Sequence, residues 1–374
     1  MTIGSVLISG AGIAGSTAAY WLADAGWHVT LVEKASNARS SGNPIDVRGD
    51  AAVVAHAMGI WPRLEAAATG VNRLVFVDAA GRRRAIINSR QHVSSRDEVE
   101  VARTDLAGAL LDAARVNSEL ISHDSIAALQ DTPAGVEIEF EHAPPRRFDL
   151  VIGADGLHSN VRRLAFGAEH EFSHPFGMFV GTMHTDVEPP DPREVMMFNA
   201  PGRSLSIHPG GGRPMAAFIF RSREEYDYRN ADAGKRLVGS AFSGVGWLAE
   251  QLIAEWNTTD DVYFDSVTRI EMPHWSHGNT TLIGDAANCI SLLGEGSSNA
   301  IIGAKTLVDA LGRHPDDHGA ALAAYEAAHR KHLAPYLRGA RLGARFLVPK
   351  TQGGIAVRNA ALRLVSHKGQ QRSS

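Results

Sequence analysis

Three stretches of this chain set glycines beside carboxylates or small polar residues in spacings that can hold a polar ligand. The first is Gly10-Ala11-Gly12-Ile13-Ala14-Gly15. In such a run the first glycine permits a tight turn, the second lets a pyrophosphate approach the backbone, and the third lets a helix pack on a strand. Glu33 lies 18 residues past Gly15, placed for its carboxylate to accept hydrogen bonds from an adenosine ribose. The second stretch is Asp155-Gly156, with Ser159 positioned to cap a following helix. The third is Gly284-Asp285, followed by a loop closed by Gly294 and Gly296 and then by Ser297, Ser298 and Asn299. A helix that starts there offers free backbone N–H groups, which attract negative charge.

These residues need elements to present them. Residues 5–9 read as a buried strand, residues 13–25 as a helix ended by Gly26, and residues 27–32 as a second strand closing on Glu33. Further apolar strands precede Asp155 and Gly284, at 149–153 and 281–283. After Glu33 the strand-helix alternation lapses, and 39–49 reads as an irregular, Gly/Pro-punctuated stretch. Helices are expected at 51–58 and 61–68, and strands at 73–77 and 83–88 around a Gly81 turn. A helix capped by Thr104 or Asp105 is expected from 101 to about 117, then antiparallel strands at 121–129 and 136–142.

From 172 the texture changes. Short alternating segments at 179–186, 194–199, 204–208 and 215–220 predict a second, mainly antiparallel sheet. After residue 265 the chain returns to the ligand-holding type, with a helix apolar at Ile301, Ala304, Leu307, Val308 and Leu311 that stops at Gly312. An Ala- and Arg-rich helical region spans 319–347, with Pro335 expected to kink or divide it. The division expected is a nucleotide-binding unit at 1–171 and 266–318, an inserted sheet unit at 172–265, and a C-terminal helical region and tail at 319–374.

Composition narrows the function classes. The hydrophobic fraction is 44% and the charged fraction 21%, ordinary for a folded globular chain. A net charge of -4 over 374 residues gives no basic face for nucleic acid. The basic tail carrying Arg358, Arg363, Lys368 and Arg372 reads as a solvated end. Cys289 is the single cysteine, so no disulfide framework or thiolate metal site is expected. No apolar run approaches a membrane span and no secretory signal is visible, so a cytoplasmic protein is expected.

Taken in order and spacing, Gly10 to Gly15, Asp155-Gly156 and Gly284-Asp285 resemble the single-component FAD-dependent aromatic hydroxylases with the para-hydroxybenzoate hydroxylase fold. The resemblance runs to about Leu347. Within that family the chain looks closest to tetracycline-degrading and antibiotic-tailoring flavin monooxygenases. Ile45-Asp46-Val47, Arg103-Thr104-Asp105-Leu106 and the lack of an added thioredoxin-like domain carry that placement. The implied fold is α/β: a Rossmann-like FAD-binding domain of the GR2 type, an inserted antiparallel sheet for substrate, and a C-terminal helix.

The resemblance implies roles residue by residue. Gly10, Gly12, Ala14 and Gly15 would lie under the FAD pyrophosphate, with Glu33 on the adenosine ribose. Asp46 and Arg103 would contact FAD, and Arg39 matches an arginine near the flavin associated with NAD(P)H. Asp155 would lie between FAD and the NAD(P)H path, Asp285 would bind the ribityl chain, and Gly296, Ser298 and Asn299 would run beside the flavin pyrimidine. A helix N-terminus at that edge favours the anionic reduced flavin. The chain has Asn288, Leu292 and Glu295 where the family usually has His, Pro and often Gln, which bears on the tuning of the flavin.

The implied reaction uses NADPH or NADH to reduce FAD. The reduced flavin then takes up O2 as a C4a-hydroperoxide, whose distal oxygen passes to an electron-rich carbon of an aromatic or polycyclic substrate. Alternatives are a flavin-dependent reductase of the same fold and a non-catalytic ligand binder. A base toward a phenol or enol would come from His208 or His184. The apolar pocket wall is expected from Met178, Phe179, Met183, Met196, Met197, Phe198, Phe218 and Phe220, with Arg221 at a polar edge of the substrate. No metal is implied, and a monomer or homodimer is expected.

Overall fold

The computed structural model describes residues 3–35, 44–88, 98–210, 213–228, 230–289 and 296–370. The chain opens with β1 (Ser5–Ser9), α1 (Ile13–Asp24) and β2 (His28–Glu33). Val6, Leu7 and Ile8 are buried on both faces of the sheet, as a continuous apolar run in a parallel sheet demands. β3 (Pro44–Arg48), α2 (Asp50–Ala57), α3 (Trp61–Ala66), β4 (Arg73–Val77) and β5 (Arg83–Asn88) follow. Then come β6 (Glu98–Ala102), α4 (Arg103–Ala114) and β7 (Ser118–Ser122). A three-stranded antiparallel sheet is made by β8 (Ile126–Thr132), β9 (Gly135–Phe140) and β10 (Arg146–Phe148). β11 (Leu150–Gly153) and α5 (Asn160–Ala165) close this first run.

The second run supplies β12 (Ser173–His184), β13 (Glu194–Ala200), β14 (Arg203–His208) and β15 (Met215–Arg221). α6 (Ala231–Phe242), α7 (Ala249–Thr258) and β16 (Val262–Ile270) lead back to the first sheet. The chain ends with β17 (Ser276–His277), β18 (Thr280–Leu282), α8 (Asp285–Asn288), α9 (Gly296–Arg313), α10 (His318–Leu347) and α11 (Gln352–Gln370).

The main sheet has the order β17-β18-β11-β1-β2-β7 and is parallel except at its β17 edge. Consequently β18, β11, β1 and β2 lie side by side, and the residues singled out after each strand gather at one edge. An open parallel sheet binds ligands beyond the carboxyl ends of its strands. The second sheet has the order β16-β12-β15-β14-β13-β4-β5 and is antiparallel except for the β13–β4 pair. Drawn by sheets, the inserted unit therefore also takes residues 73–88, far ahead of it in the chain.

Several expectations change. Residues 44–48 form a strand, because they pair antiparallel with β6 across Pro44↔Ala102 to Arg48↔Glu98. Val101 and Ala102 belong to β6, and α4 begins at Arg103 with no side-chain cap, so neither Thr104 nor Asp105 caps it. The expected strand at 121–129 is two strands in different sheets, separated at 123–125, where His123 takes a φ of 60°. Pro335 sits inside a continuous α10. It removes one backbone hydrogen bond, and the burial of Tyr325 and Leu333 with the main core holds the helix against that loss.

The tail is the largest difference. Residues 352–370 form a helix, and Arg358 is only 8% exposed. Its guanidinium lies 4.1 Å from the centroid of Phe76, and its Nη1 donates to the Phe346 carbonyl at 3.0 Å. Arg363 Nε donates to the Arg84 carbonyl at 2.8 Å. The Phe76 and Arg84 contacts tie α11 to the β4–β5 end of the second sheet, and the Phe346 contact ties it to α10. No described helix is long and apolar enough to cross a membrane. Replacing Arg358 with Ala should lower the unfolding free energy in urea by about 2 kcal/mol, since a desolvated cation–π contact and a charged hydrogen bond are lost together. An unchanged denaturation midpoint would show that the Arg358 contacts contribute nothing to the fold.

Candidate active site

A cavity of about 1180 Å³ runs along the carboxyl edge of the main sheet. The G-x-G-x-x-G turn forms its floor. A Cβ on Gly15 would lie 1.9 Å from the Gly10 carbonyl oxygen, and one on Gly10 would lie 2.5 Å from that of Ala154. A Cβ on Gly12 would meet nothing within 4 Å, because Gly12 faces the cavity. Gly12 is also the N-cap of α1, which has no side-chain cap and no acidic residue in its first turn. The free amides of a helix of this length therefore face open space, as an anion such as a pyrophosphate requires.

Glu33 closes one side of the cradle. Its Oε2 accepts from the Ala11 N–H at 2.8 Å and its Oε1 from the Ala35 N–H at 2.8 Å. The carboxylate is thus oriented by the same turn that makes the floor. The cavity continues past it to Arg115, Ser122 and Asp124, and in the other direction to Arg103, Asp285, Gly296 and Ser297.

Asp285 is the first residue of α8, after Gly284 at a φ of 58°. A Cβ on Gly284 would lie 2.8 Å from that of Ala14, so this turn is pressed onto the start of α1. Burial raises the Asp285 pKa, opposed by the positive charge of Arg103 and a hydrogen bond with Cys289. Arg103 reaches the site because β6 delivers it as the opening residue of α4.

Asp155 borders the cavity while its carboxylate is occupied. Oδ2 accepts from the backbone N–H groups of Asn160 at 2.9 Å and Val161 at 3.0 Å, and Oδ1 accepts from the Ser159 hydroxyl. Ser159 in turn caps α5 by accepting from the Arg162 N–H at 2.9 Å. Burial raises the Asp155 pKa against those hydrogen bonds. The residue therefore shapes the wall of the cavity.

The expected cofactor residues divide cleanly. Gly10, Gly12, Ala14, Glu33, Arg103, Asp155, Asp285 and Gly296 line the cavity. Gly15 lies behind the floor, where it permits the close approach of Gly10. Ser298, Asp46 and Asn299 do not line it. The Ser298 hydroxyl donates to the Asp46 carbonyl at 2.9 Å, and Asn299 Oδ1 meets His332 Nε2 at 3.0 Å, so these residues anchor the first turn of α9. Burial raises the Asp46 pKa, with Arg48 opposing. Arg39, Leu292, Gly294 and Glu295 lie outside the described residues. Ser297, in the third ligand-holding stretch, also lines the cavity, and Arg115, Asp124 and Asn160 do so without having been singled out for it. Only Asn160 had a signal, as a neighbour of the Asp155-Gly156 motif.

The second sheet corrects the expected substrate wall. Met183, Met196, Phe198, Phe218 and Phe220 point into a core with Leu237, Val238, Phe242, Leu252 and Trp256 of α6 and α7. Side chains alternate between the two faces of a strand, so the face turned from these helices carries Thr182, His184, Met197, Ser206, His208 and Arg221. His184 and His208 both pair with Met215, which puts the two histidines in one row. His208 Nε2 lies 3.0 Å from the Ser206 hydroxyl, and burial pushes its pKa down to about 4. It is therefore neutral at ordinary pH. Arg221 donates to the Val348 and Ala344 carbonyls at 3.1 and 3.2 Å, satisfying the end of α10, and lines neither large cavity.

Comparison with known proteins adds a family. The profile described as "FAD binding domain" matches residues 4–338. An uncharacterized protein of Mycobacterium tuberculosis is 36% identical over 335 residues, covering 86% of this chain and 89% of its own. A flavin-dependent monooxygenase of Legionella longbeachae is 30% identical over 321 residues, covering 82% and 80%. Among solved structures, tetracycline destructase Tet(55) superposes with a TM-score of 0.80 at 29% identity, covering 98% of this chain and 97% of that one. Tetracycline destructase Tet(51) gives a TM-score of 0.83 at 25% identity, with the same coverage.

The two cradle glycines should respond differently to the same added methyl. Gly15→Ala forces the first turn apart and should cost about 3 kcal/mol of stability. Gly12→Ala should cost only a few tenths of a kcal/mol as an N-cap change while weakening FAD, because its methyl enters the cavity. Denaturation and flavin titration of both variants check this. Equal stabilities would remove the close-packed floor.

Proposed function

The chain belongs to the FAD-binding-domain family as a flavin-dependent monooxygenase, and on that premise we propose that it uses NAD(P)H and O2 to oxygenate an aromatic or polycyclic compound. The observation that carries this reading is the single long cavity that joins the Gly10–Gly12 turn and Glu33 at one part to Arg103, Asp285 and Gly296 at another. Its residues fit the group the family implies. Uncapped amides suit a pyrophosphate, the oriented Glu33 carboxylate suits a ribose, and Asp285 suits the hydroxyls of a ribityl chain. When bound, FAD supplies hydride acceptance and activation of O2.

The protein's own part is holding, shielding and proton placement. The amides at the start of α9 offer partial positive charge where Gly296 and Ser297 border the cavity. Arg103 adds a full positive charge beside Asp285. On the substrate side, the sheet face with His208, Ser206 and His184 is the one turned from α6 and α7. A neutral His208 tied to Ser206 acts as a hydrogen-bond partner that orients a substrate hydroxyl, since an imidazole with so low a pKa is a weak base. The antibiotic-degrading relatives favour a polycyclic, oxygen-rich substrate.

Asp285→Ala should weaken FAD binding roughly 10- to 100-fold, the worth of one or two charged hydrogen bonds. Under 18O2, wild-type protein supplied with NADPH and an accepted polycyclic substrate should give singly labelled product. A reduced product without label would instead assign a flavin-dependent reductase. Unchanged FAD affinity in Asp285→Ala would overturn the placement of the cofactor.

A further inference from the structure

A line of four ionisable side chains crosses from the flavin-holding half to the second sheet. Arg162, fully buried, donates from Nη1 to the carbonyl of Ala286 at 3.0 Å, next to Asp285. Its Nη2 lies 3.1 Å from Glu169 Oε2. Glu169 Oε1 lies 2.9 Å from His158 Nδ1, and His158 Nε2 lies 3.0 Å from Asp265 Oδ2 on β16. The Tyr228 ring stacks on the imidazole with centroids 3.6 Å apart and planes 10° from parallel.

Two carboxylates on the two nitrogens of one imidazole both need a donor, and only the imidazolium donates from both. We infer that His158, as this doubly engaged cation, is the positioning residue that fixes the flavin-holding half against the substrate sheet. The inference rests on the flavin reading above for what is positioned. One end of the line grips the α8 turn that carries Asp285. The other grips Asp265, two residues from Tyr263, whose phenol senses the charges of Arg103 and Asp285. His158, Glu169 and Tyr228 also border both the dinucleotide cavity and a second cavity of about 630 Å³. The bridge is therefore the partition between the two spaces, and releasing it opens the flavin-bearing space to water.

The charge state agrees with the geometry. Burial opposes charging of His158, yet its hydrogen bonds to Asp265 and Glu169 outweigh that and raise its pKa from 6.5 to about 9. Glu169 is held below its usual range by His158 and Arg162, against its own burial. The other groups facing the bridge are Asp155 from the flavin half, Tyr226 and Tyr228 from the stretch after β15, and Tyr263 from β16. Arg223, Glu224 and Glu225 stand around the second cavity. A raised pKa in the folded state gives a contribution that is complete below pH 6.5 and fades as pH rises through about 9.

The test uses the FAD-loaded protein and iodide quenching of the bound flavin's fluorescence between pH 6.5 and 9.5, with urea denaturation at the same pH values. Wild-type quenching should rise several-fold across the upper half of this range. In His158→Gln it should be high and independent of pH, and in His158→Arg, which keeps the cation, low and flat. Asp265→Asn should move the wild-type rise to lower pH. Equal, flat quenching in wild type and His158→Gln would overturn the inference. If the protein bound no flavin, the function would fail on its own. The bridge would then stand or fall on whether wild type loses stability with rising pH while His158→Gln does not.

Discussion

The carbonyl of Gly10 occupies the space that a side chain on Gly15 would need, and Gly284 leaves its own Cβ space to Ala14. These two close approaches set how near α1 comes to the ends of β1 and β18. Everything else at the site follows from that distance. The uncapped amides of α1, the Glu33 carboxylate and the Asp285 turn face one space only because the helix start is pressed into the sheet edge. One methyl group on the wrong glycine would separate the anion-binding turn from the turn that carries Asp285.

The second sheet solves a different problem. Its two faces are covered by different parts of the chain, and α6 and α7 decide which face holds the aromatic core. Phe218, Phe220, Phe242 and Trp256 fill the covered side with edge-on aromatic contacts. Met183, Met196, Phe198, Phe218 and Phe220, which suggest an adaptable pocket, therefore pack in this core, while Met178 and Phe179 border the second cavity. The opposite side carries Thr182, Ser206 and the two histidines beside apolar groups such as Met178 and Met197. The C-terminal pair of helices finishes that side: Arg221 satisfies the end of α10, and Arg358 seats α11 over Phe76. Between the two halves runs the charged line through Arg162, Glu169, His158 and Asp265, drawn from α5 and its flanking loops and from β16.

Much of the dinucleotide half was legible in the chain. Gly10 to Gly15, Glu33 and Asp285 act through backbone geometry and short spacings, and local sequence encodes both. The 2-residue period of β14 or β15 was equally visible. The identity of the inward face was not, because a period of two is symmetric and only the packing of α6 and α7 breaks that symmetry. β3 was hidden for a related reason. Pro44 to Arg48 looks irregular until β6 supplies its hydrogen bonds.

The sequence by itself determined the family, the cofactor class and the glycine-rich turns of the dinucleotide half, since those turns rest on contacts between residues close in the chain. Tertiary structure alone decided that α11 is packed rather than solvated and that β4 and β5 complete the second sheet. It alone joined Ala286, Arg162, Glu169, His158 and Asp265 into one line. The Arg162–Ala286 and His158–Asp265 contacts span 124 and 107 positions, and no local spacing encodes a partner that arrives from so far along the chain.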